Sequence, residues 1–200
     1  MKIKIYVEGG GDHNKALQTQ CRQGFSAFIR KAGFSGRMPK IVACGGRSQA
    51  YRSFRTAQEN TAQDGLPILL VDSEEPVIQR NRWEHVASRD QWQRPSGATE
   101  DQILFMVQAM EAWFHADKNM LGEYYGQGFR EAALSPRHDV ENIPKIDLIS
   151  GLQRATKDCQ KGEYAKGDHS FQILACLDPA KVRASSPHAE LFLKILDQKC

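Results

Sequence analysis

The chain has 200 residues, of which 40% are apolar and 26% charged, so it can form one domain with a substantial core, and no apolar run is long enough to span a membrane. The net charge of +3 is too small to identify a partner by itself. Five cysteines, odd in number and without a C-x-x-C pair, argue against a disulfide scaffold, and we expect a reduced, cytoplasmic protein.

The first part of the chain predicts three strands separated by two helices. Residues 2–7, 40–44 and 68–71 have the apolar, branched character of short strands. Between them, apolar residues recur at steps of three and four, which is typical of amphipathic helices. The first helix is expected to reach about residue 32, and the second to begin with Ser48 as its cap. Strands that alternate with helices indicate a parallel sheet with helical crossovers.

The turn after the first strand combines an acid with glycines. Glu8 is followed by Gly9, Gly10 and Gly11. Glycines permit a tight strand-to-helix turn, and backbone N–H groups at a helix N-terminus attract phosphate. Asp12 or Asn14 can cap the helix that follows. We therefore expect phosphate binding by these glycines, together with Arg47 from the second helix.

Basic residues are concentrated in the same region. Between His13 and Gln58 there are nine Lys or Arg residues and no Asp or Glu, and acidic residues begin again at Glu59. This asymmetry suits a basic surface near an acidic centre, a combination that fits a phosphate-bearing partner held by metal. The alternative is a pair of solvated helix faces without a partner.

The third strand opens into a cluster of carboxylates. Residues 67–76 read Pro-Ile-Leu-Leu-Val-Asp-Ser-Glu-Glu-Pro, an apolar run typical of a strand buried on both faces. Asp72 and Glu74 leave its carboxyl end, where open α/β sheets bind ligands, and on extended backbone they point the same way. Adjacent carboxylates repel unless a cation lies between them, so the pair predicts Mg²⁺ or Mn²⁺. The alternative is a solvated acidic turn.

Residues 76–100 are polar and predict a short helix and a loop, inserted before the next strand as a lid over the site. Trp83 and Trp92 lie in this segment, where they either stack on nucleic-acid bases or pack against the edge of the sheet.

A fourth strand is expected at residues 103–107, followed by a helix over 108–117. Glu111 is the only charged residue within 106–114, and an unpaired carboxylate in apolar surroundings is costly. We therefore expect Glu111 to be a metal ligand. The alternative is a carboxylate that faces solvent or pairs with an arginine.

The C-terminal part predicts helices that cover the sheet. They are expected at residues 145–156, at 171–177 after a polar loop over 164–170, and from the Ser186 cap to about residue 198. The whole chain, 1–200, is therefore expected to be one domain with a core over about 1–117 and a helical extension over about 118–200.

The predicted topology brings the acids together. Parallel strands deliver Glu8, the Asp72/Glu74 pair and Glu111 to one edge of the sheet. Two ions there can activate a water and steady the leaving oxygen of a phosphodiester. Lys166, or alternatively His169, can neutralise charge that develops on the phosphate.

Four motifs carry a resemblance to a known family. Val7-Glu8-Gly9 and the Val-Asp-Ser-Glu of residues 71–74 resemble the Toprim domain of topoisomerases, primases and OLD-type nucleases. With Met-Glu-Ala-Trp at 110–113 and Tyr-Ala-Lys-Gly at 164–167, the chain is similar to an uncharacterised bacterial Toprim-like family often encoded beside AAA-type ATPases. The resemblance implies that Glu8 is a general acid/base or metal ligand and that Asp72 and Glu74 hold Mg²⁺. Glu74 departs from the pattern, because Asp is usual there.

These observations predict a Mg²⁺-dependent nuclease of Toprim-like, Rossmann-like α/β fold that cleaves DNA or RNA. The resemblance further implies an effector of an ATPase-coupled phage-defence system, with an AAA-type ATPase as partner and a homodimer as its assembly. The alternative is a metal- and nucleotide-binding protein that regulates the ATPase without cleaving anything. A third reading is a nucleotide-sugar transferase that holds a diphosphate with the Asp-x-Glu pair.

Overall fold

The computed structural model describes residues 2–11, 14–60 and 65–200, and it confirms the predicted α/β architecture. Four parallel strands form one sheet in the order β2-β1-β3-β4. The strands are β1 (Ile3–Val7), β2 (Lys40–Ala43), β3 (Leu66–Asp72) and β4 (Ile103–Met106). The fold is Rossmann-like, with the sheet covered by helices on both faces.

Nine α-helices surround the sheet in the described part of the chain. They are α1 (Lys15–Ile29), α2 (Arg47–Glu59), α3 (Arg82–Asp90), α4 (Glu111–His115), α5 (Lys118–Tyr125), α6 (Lys145–Thr156), α7 (Lys166–Cys176), α8 (Pro179–Ser185) and α9 (Pro187–Lys199). The helix expected at residues 145–156 is confirmed with those bounds. None of the described helices is long and apolar enough to cross a bilayer.

Each strand buries side chains on both faces of the sheet. Ile5 and Val7 point into one apolar cluster, whereas Tyr6 points into another. The first cluster includes side chains of α1, α7 and α9, and the second includes side chains of α2 and α3. Because both faces are covered, β3 needs a nearly continuous apolar sequence, which is the pattern that predicted it.

The helix starts agree with the sequence in part. Asn14 caps α1, since its side chain accepts the N–H of Leu17 at 3.0 Å; the other candidate, Asp12, lies outside the described residues. The prediction for α2 was wrong: Gly46 is the cap residue, and Ser48 lies exposed in the first turn. Glycine is tolerated as a cap because its backbone readily takes the extended conformation needed there.

Two segments of the C-terminal part differ from their predictions. Residues 166–170 form the start of α7, so the predicted loop was wrong over these residues. The first turn of α7 is exposed and therefore polar, which is why its sequence resembles a loop. The helix expected over 108–117 is confined to α4, because backbone groups before it bond elsewhere. The carbonyl of Gln108 accepts the N–H of Glu74 at 2.8 Å, and the N–H of Met110 donates to Asp72.

The two tryptophans of the inserted segment pack inside the protein. Trp83 and Trp92 are buried with α2 and α3, and Trp92 stacks on Tyr51 with the ring centroids 4.5 Å apart. Trp83 donates its ring N–H to the carbonyl of Thr99 at 3.0 Å. The packing alternative is therefore confirmed, and neither ring is exposed for stacking on a base.

Candidate metal centre

The order of the strands creates a crevice at the carboxyl ends of β1 and β3. The chain leaves β1 for β2 on one side, whereas β3 lies on the other, and such a reversal is where α/β sheets bind ligands. Glu8 directly follows β1, and Asp72 is the last residue of β3. The N–H of Glu8 donates to the carbonyl of Leu70 at 3.1 Å, which fixes the two strand ends together.

Three of the four predicted metal ligands meet in this crevice. Glu8, Asp72 and Glu74 each place one carboxylate oxygen within 4.8 Å of the others, and we call them the acidic triad. Glu74 has a φ of 72°, an uncommon conformation for a non-glycine residue.

The triad fits a small divalent cation. Neighbouring ligands of an octahedral Mg²⁺ are about 3.0 Å apart and opposite ligands about 4.2 Å, so the three side chains would have to move closer together to bind one ion. Carboxylate oxygens are also the donors that Mg²⁺ and Mn²⁺ prefer. The residues present therefore suit the predicted cofactor, and metal binding itself stays a prediction.

Asp72 is the fixed member of the triad. Its side chain is 3% exposed, and its Oδ1 accepts the N–H of Met110 at 2.9 Å. Its Oδ2 faces two ammonium groups, Lys166 Nζ at 3.2 Å and Lys145 Nζ at 3.9 Å. Oδ1 of Asp72 is thus hydrogen-bonded to the backbone, whereas Oδ2 faces the ammonium groups in the crevice.

Glu8 is the member with the most perturbed charge. Burial and the nearby Asp72 carboxylate raise the pKa of Glu8 to about 7, although Arg47 opposes them from 3.4 Å. Arg47 is itself held by Asp90 at 3.0 and 2.7 Å and lies over the ring of Trp92 at 4.8 Å. The guanidinium predicted to bind phosphate is therefore already bound to carboxylates of this chain.

Glu74 binds two cations from different elements. Its Oε1 lies 2.6 Å from Lys145 Nζ, at the start of α6, and its Oε2 lies 3.7 Å from an Arg89 nitrogen. Arg89 also contacts Asp90, which binds Arg47, and Arg47 contacts Glu8. The end of α3 therefore reaches both Glu74 and the cation beside Glu8. The inserted segment thus supports the site.

Glu111 is buried outside the triad. It is 0% exposed, and its Oε1 accepts the hydroxyl of Tyr164 at 2.8 Å and faces Lys166 Nζ at 3.6 Å. Its Oε2 has no hydrogen-bond partner among the described residues. Burial, and then the Glu111 charge, raise the pKa of Tyr164 well above its ordinary value. Glu111 is therefore paired with a cation, not turned to solvent.

Lys166 is held in its charged form by the carboxylates around it. Partial burial works against the ammonium, but Asp72 and Glu111 outweigh it and raise the pKa of Lys166. The side chain is 51% exposed, so it also faces incoming ligands. His169, the predicted alternative, instead accepts the N–H of Ala165 at 3.0 Å.

Two glycine turns form the floor beside the triad. Gly9 and Gly45 exchange backbone hydrogen bonds of 2.8 and 2.9 Å, so the N–H of Gly9 is occupied. Gly10 has a φ of 92°, and a Cβ there would lie 2.8 Å from Gln18 Cα, so only glycine fits. Phosphate binding by the glycines stays a prediction that rests on the other two N–H groups.

A cavity of about 340 Å³ opens onto these residues. Its walls include Glu8, Asp72 and Lys166, together with the glycine turns and the apolar side chains of Met110 and Phe171. The cavity is therefore lined by both charged and apolar side chains.

Sequence reasoning missed four residues of the site: Lys145, Arg89, Asp90 and Tyr164. Lys145, at the start of a predicted helix, carried no local signal of its contact with Glu74. Tyr164 lies within the Tyr-Ala-Lys-Gly motif that also supplied Lys166, so a closer look at that motif could have found it.

Comparison with protein families identifies one match. The model of the domain of unknown function DUF4276 matches residues 7–197, and the chain belongs to that family. The matched range contains every residue of the acidic triad and Glu111, Tyr164 and Lys166. Neither the curated proteins nor the solved structures contain a match to the chain.

Proposed function

We propose that this DUF4276 protein is a Mg²⁺- or Mn²⁺-dependent nuclease that hydrolyses phosphodiester bonds of nucleic acid. The observation that carries the proposal is the acidic triad, whose three carboxylates lie within 4.8 Å of one another at the strand ends. Three such acids at the reversal point of a parallel sheet are arranged for a cation that binds phosphate.

A divalent ion held by Glu8, Asp72 and Glu74 would polarise a phosphate oxygen and lower the pKa of a bound water. In the metal-free protein the pKa of Glu8 is raised to about 7, so Glu8 can take up a proton near neutral pH when it is not bound to the ion. Lys166 presents its ammonium beside Asp72 and is half exposed, so it can neutralise charge on the phosphoryl oxygens.

We propose nucleic acid as the substrate because the segment between His13 and Gln58 exposes basic side chains to solvent. Of the nine Lys and Arg residues between His13 and Gln58, all but Arg47 are exposed. Exposed Lys and Arg supply the phosphate contacts that dominate nucleic-acid affinity. We also propose an AAA-type ATPase as partner, a homodimer and a role in phage defence, each on the resemblance of the four motifs alone.

The test is cleavage of single- and double-stranded DNA and RNA with Mg²⁺, Mn²⁺ or a chelator. Glu8→Gln and Asp72→Asn each remove a carboxylate of the proposed metal site, and Glu8 is also the proposed acid–base group, so each should reduce cleavage by about 100-fold or more. Glu59→Gln is the control, because Glu59 is 63% exposed at the far end of α2. Cleavage that survives both substitutions and the chelator would refute the proposal.

Assays with and without the neighbouring ATPase separate the nuclease from the regulatory alternative. A protein that binds Mn²⁺ at the triad but never cleaves, in either condition, is the non-catalytic regulator. Turnover that depends on the triad identifies the nuclease.

A further inference from the structure

Lys166 lies between two carboxylates that belong to different parts of the site. Its Nζ is 3.2 Å from Asp72 Oδ2 and 3.6 Å from Glu111 Oε1. Asp72 belongs to the acidic triad, whereas Glu111 does not. The ammonium therefore bridges the triad to a buried carboxylate behind it.

This bridge lies where a second divalent ion would be expected. In two-metal sites the ions are about 3.5–4 Å apart and share a carboxylate. Asp72 is the carboxylate in a position to be shared, and Glu111 would complete the second set of ligands. The Lys166 ammonium lies between those two groups, so one positive charge is already supplied by the chain.

Glu111 is held so that it faces Lys166. The Tyr164 hydroxyl donates to Glu111 Oε1 at 2.8 Å, and that same oxygen faces the ammonium. Tyr164 precedes α7 by two residues and Lys166 begins it, so one short segment supplies both contacts. Because Glu111 is fully buried, removing Lys166 would leave its charge without a counter-ion, which is strongly unfavourable.

The charge balance also favours a single ion. Among the described residues around the triad, five carboxylates meet four cationic side chains. The acids are Glu8, Asp72, Glu74, Asp90 and Glu111, and the cations are Arg47, Arg89, Lys145 and Lys166. Five negative and four positive side chains give a net charge of −1. One divalent ion would change this charge to +1, whereas two would give +3 in a partly buried site.

We propose that the site binds one divalent cation at the acidic triad and that Lys166 takes the place of a second ion. In this arrangement Glu111 is a positioning residue that holds Lys166 against Asp72, and it is not a metal ligand. The inference rests on the proposed function, because it assumes that the triad binds metal.

The test is a titration of the full chain with Mn²⁺, in which electron paramagnetic resonance measures free Mn²⁺ and calorimetry measures the stoichiometry. The wild type should bind one ion per chain. Lys166→Ala opens the space between Asp72 and Glu111 and should bind two. The double variant Lys166→Ala/Glu111→Gln should return to one, because the second set of ligands is lost. Lys157→Ala, an exposed lysine of the segment after α6, is the control and should bind one.

Each outcome bears on the inference. Two ions bound to the wild type, or only one bound to a folded Lys166→Ala variant, would overturn it and leave the proposed nuclease intact. No ion bound to the wild type would defeat both. Circular dichroism of each metal-free variant establishes that it is folded. Should Lys166→Ala not fold, the stoichiometry of the wild type decides.

Discussion

Replacing Glu8 with Gln should stabilise the metal-free protein while removing its activity. The side chain of Glu8 is only 20% exposed, and burial together with the Asp72 charge raises its pKa to about 7. The folded state therefore disfavours the ionised carboxylate. Gln has nearly the same shape and carries no charge, so the variant keeps the packing and loses the penalty.

The size of the effect follows from the pKa. The pKa of Glu8 is about 7 in the folded chain, against 4.5 for the unfolded chain. Each pKa unit is worth about 1.4 kcal/mol, so the ionised carboxylate lowers the free energy of unfolding by about 3 kcal/mol at pH 8. Below pH 4.5 the carboxyl is protonated in both states and the penalty vanishes. The raised pKa of Glu8 thus makes the wild type lose stability as pH rises from 4.5 to 7.

Urea unfolding in chelator at pH 5 and pH 8 measures this difference. Glu8→Gln should exceed the wild type by about 2–3 kcal/mol at pH 8 and by less than about 1 kcal/mol at pH 5. Glu59→Gln, whose carboxylate is 63% exposed, should show neither gain. A Glu8→Gln variant no more stable than wild type at pH 8 would show that burial and the Asp72 charge do not penalise the ionised Glu8 carboxylate in the folded state.

Three further substitutions test the supports of the site. Asp90→Asn removes the closer carboxylate partner of the partly buried Arg47, which keeps only its longer contact with Glu8, and should cost about 2 kcal/mol in urea unfolding. Asp197→Asn, whose pair with Arg37 is exposed, should cost less than about 1 kcal/mol. Gly24→Ala places a Cβ 2.7 Å from a backbone oxygen of α7 and should cost about 2 kcal/mol, whereas Gly36→Ala, with open space around it, should change little. Lys145→Met removes the ammonium that lies 2.6 Å from Glu74 Oε1, where it would compete with a bound ion. Mn²⁺ should therefore bind roughly tenfold tighter to this variant by titration, and unchanged or weaker binding would contradict the competition.

The sheet and the triad could be predicted because local patterns and topology determine them together. The apolar run of β3 is required by burial on both faces, and the parallel arrangement then places the ends of β1 and β3 side by side. Glu8, Asp72 and Glu74 follow those ends, so their approach was expected from the strands alone.

The roles of Lys145 and Asp90 could not be predicted, because they depend on how distant helices pack. Lys145 reaches Glu74 only because α6 begins beside the loop after β3. Asp90 meets Arg47 because α3 ends near the start of α2. The start of α7 was misread as a loop, because an exposed first turn is polar and carries no apolar period.

The most direct test of the central claim is a crystal of the protein soaked in Mn²⁺ and measured at a wavelength where manganese scatters anomalously. The account predicts an anomalous peak among the carboxylates of Glu8, Asp72 and Glu74. A well-ordered site with these three acids bound only to Lys145, Lys166 and Arg47, and with no peak at saturating Mn²⁺, would contradict it.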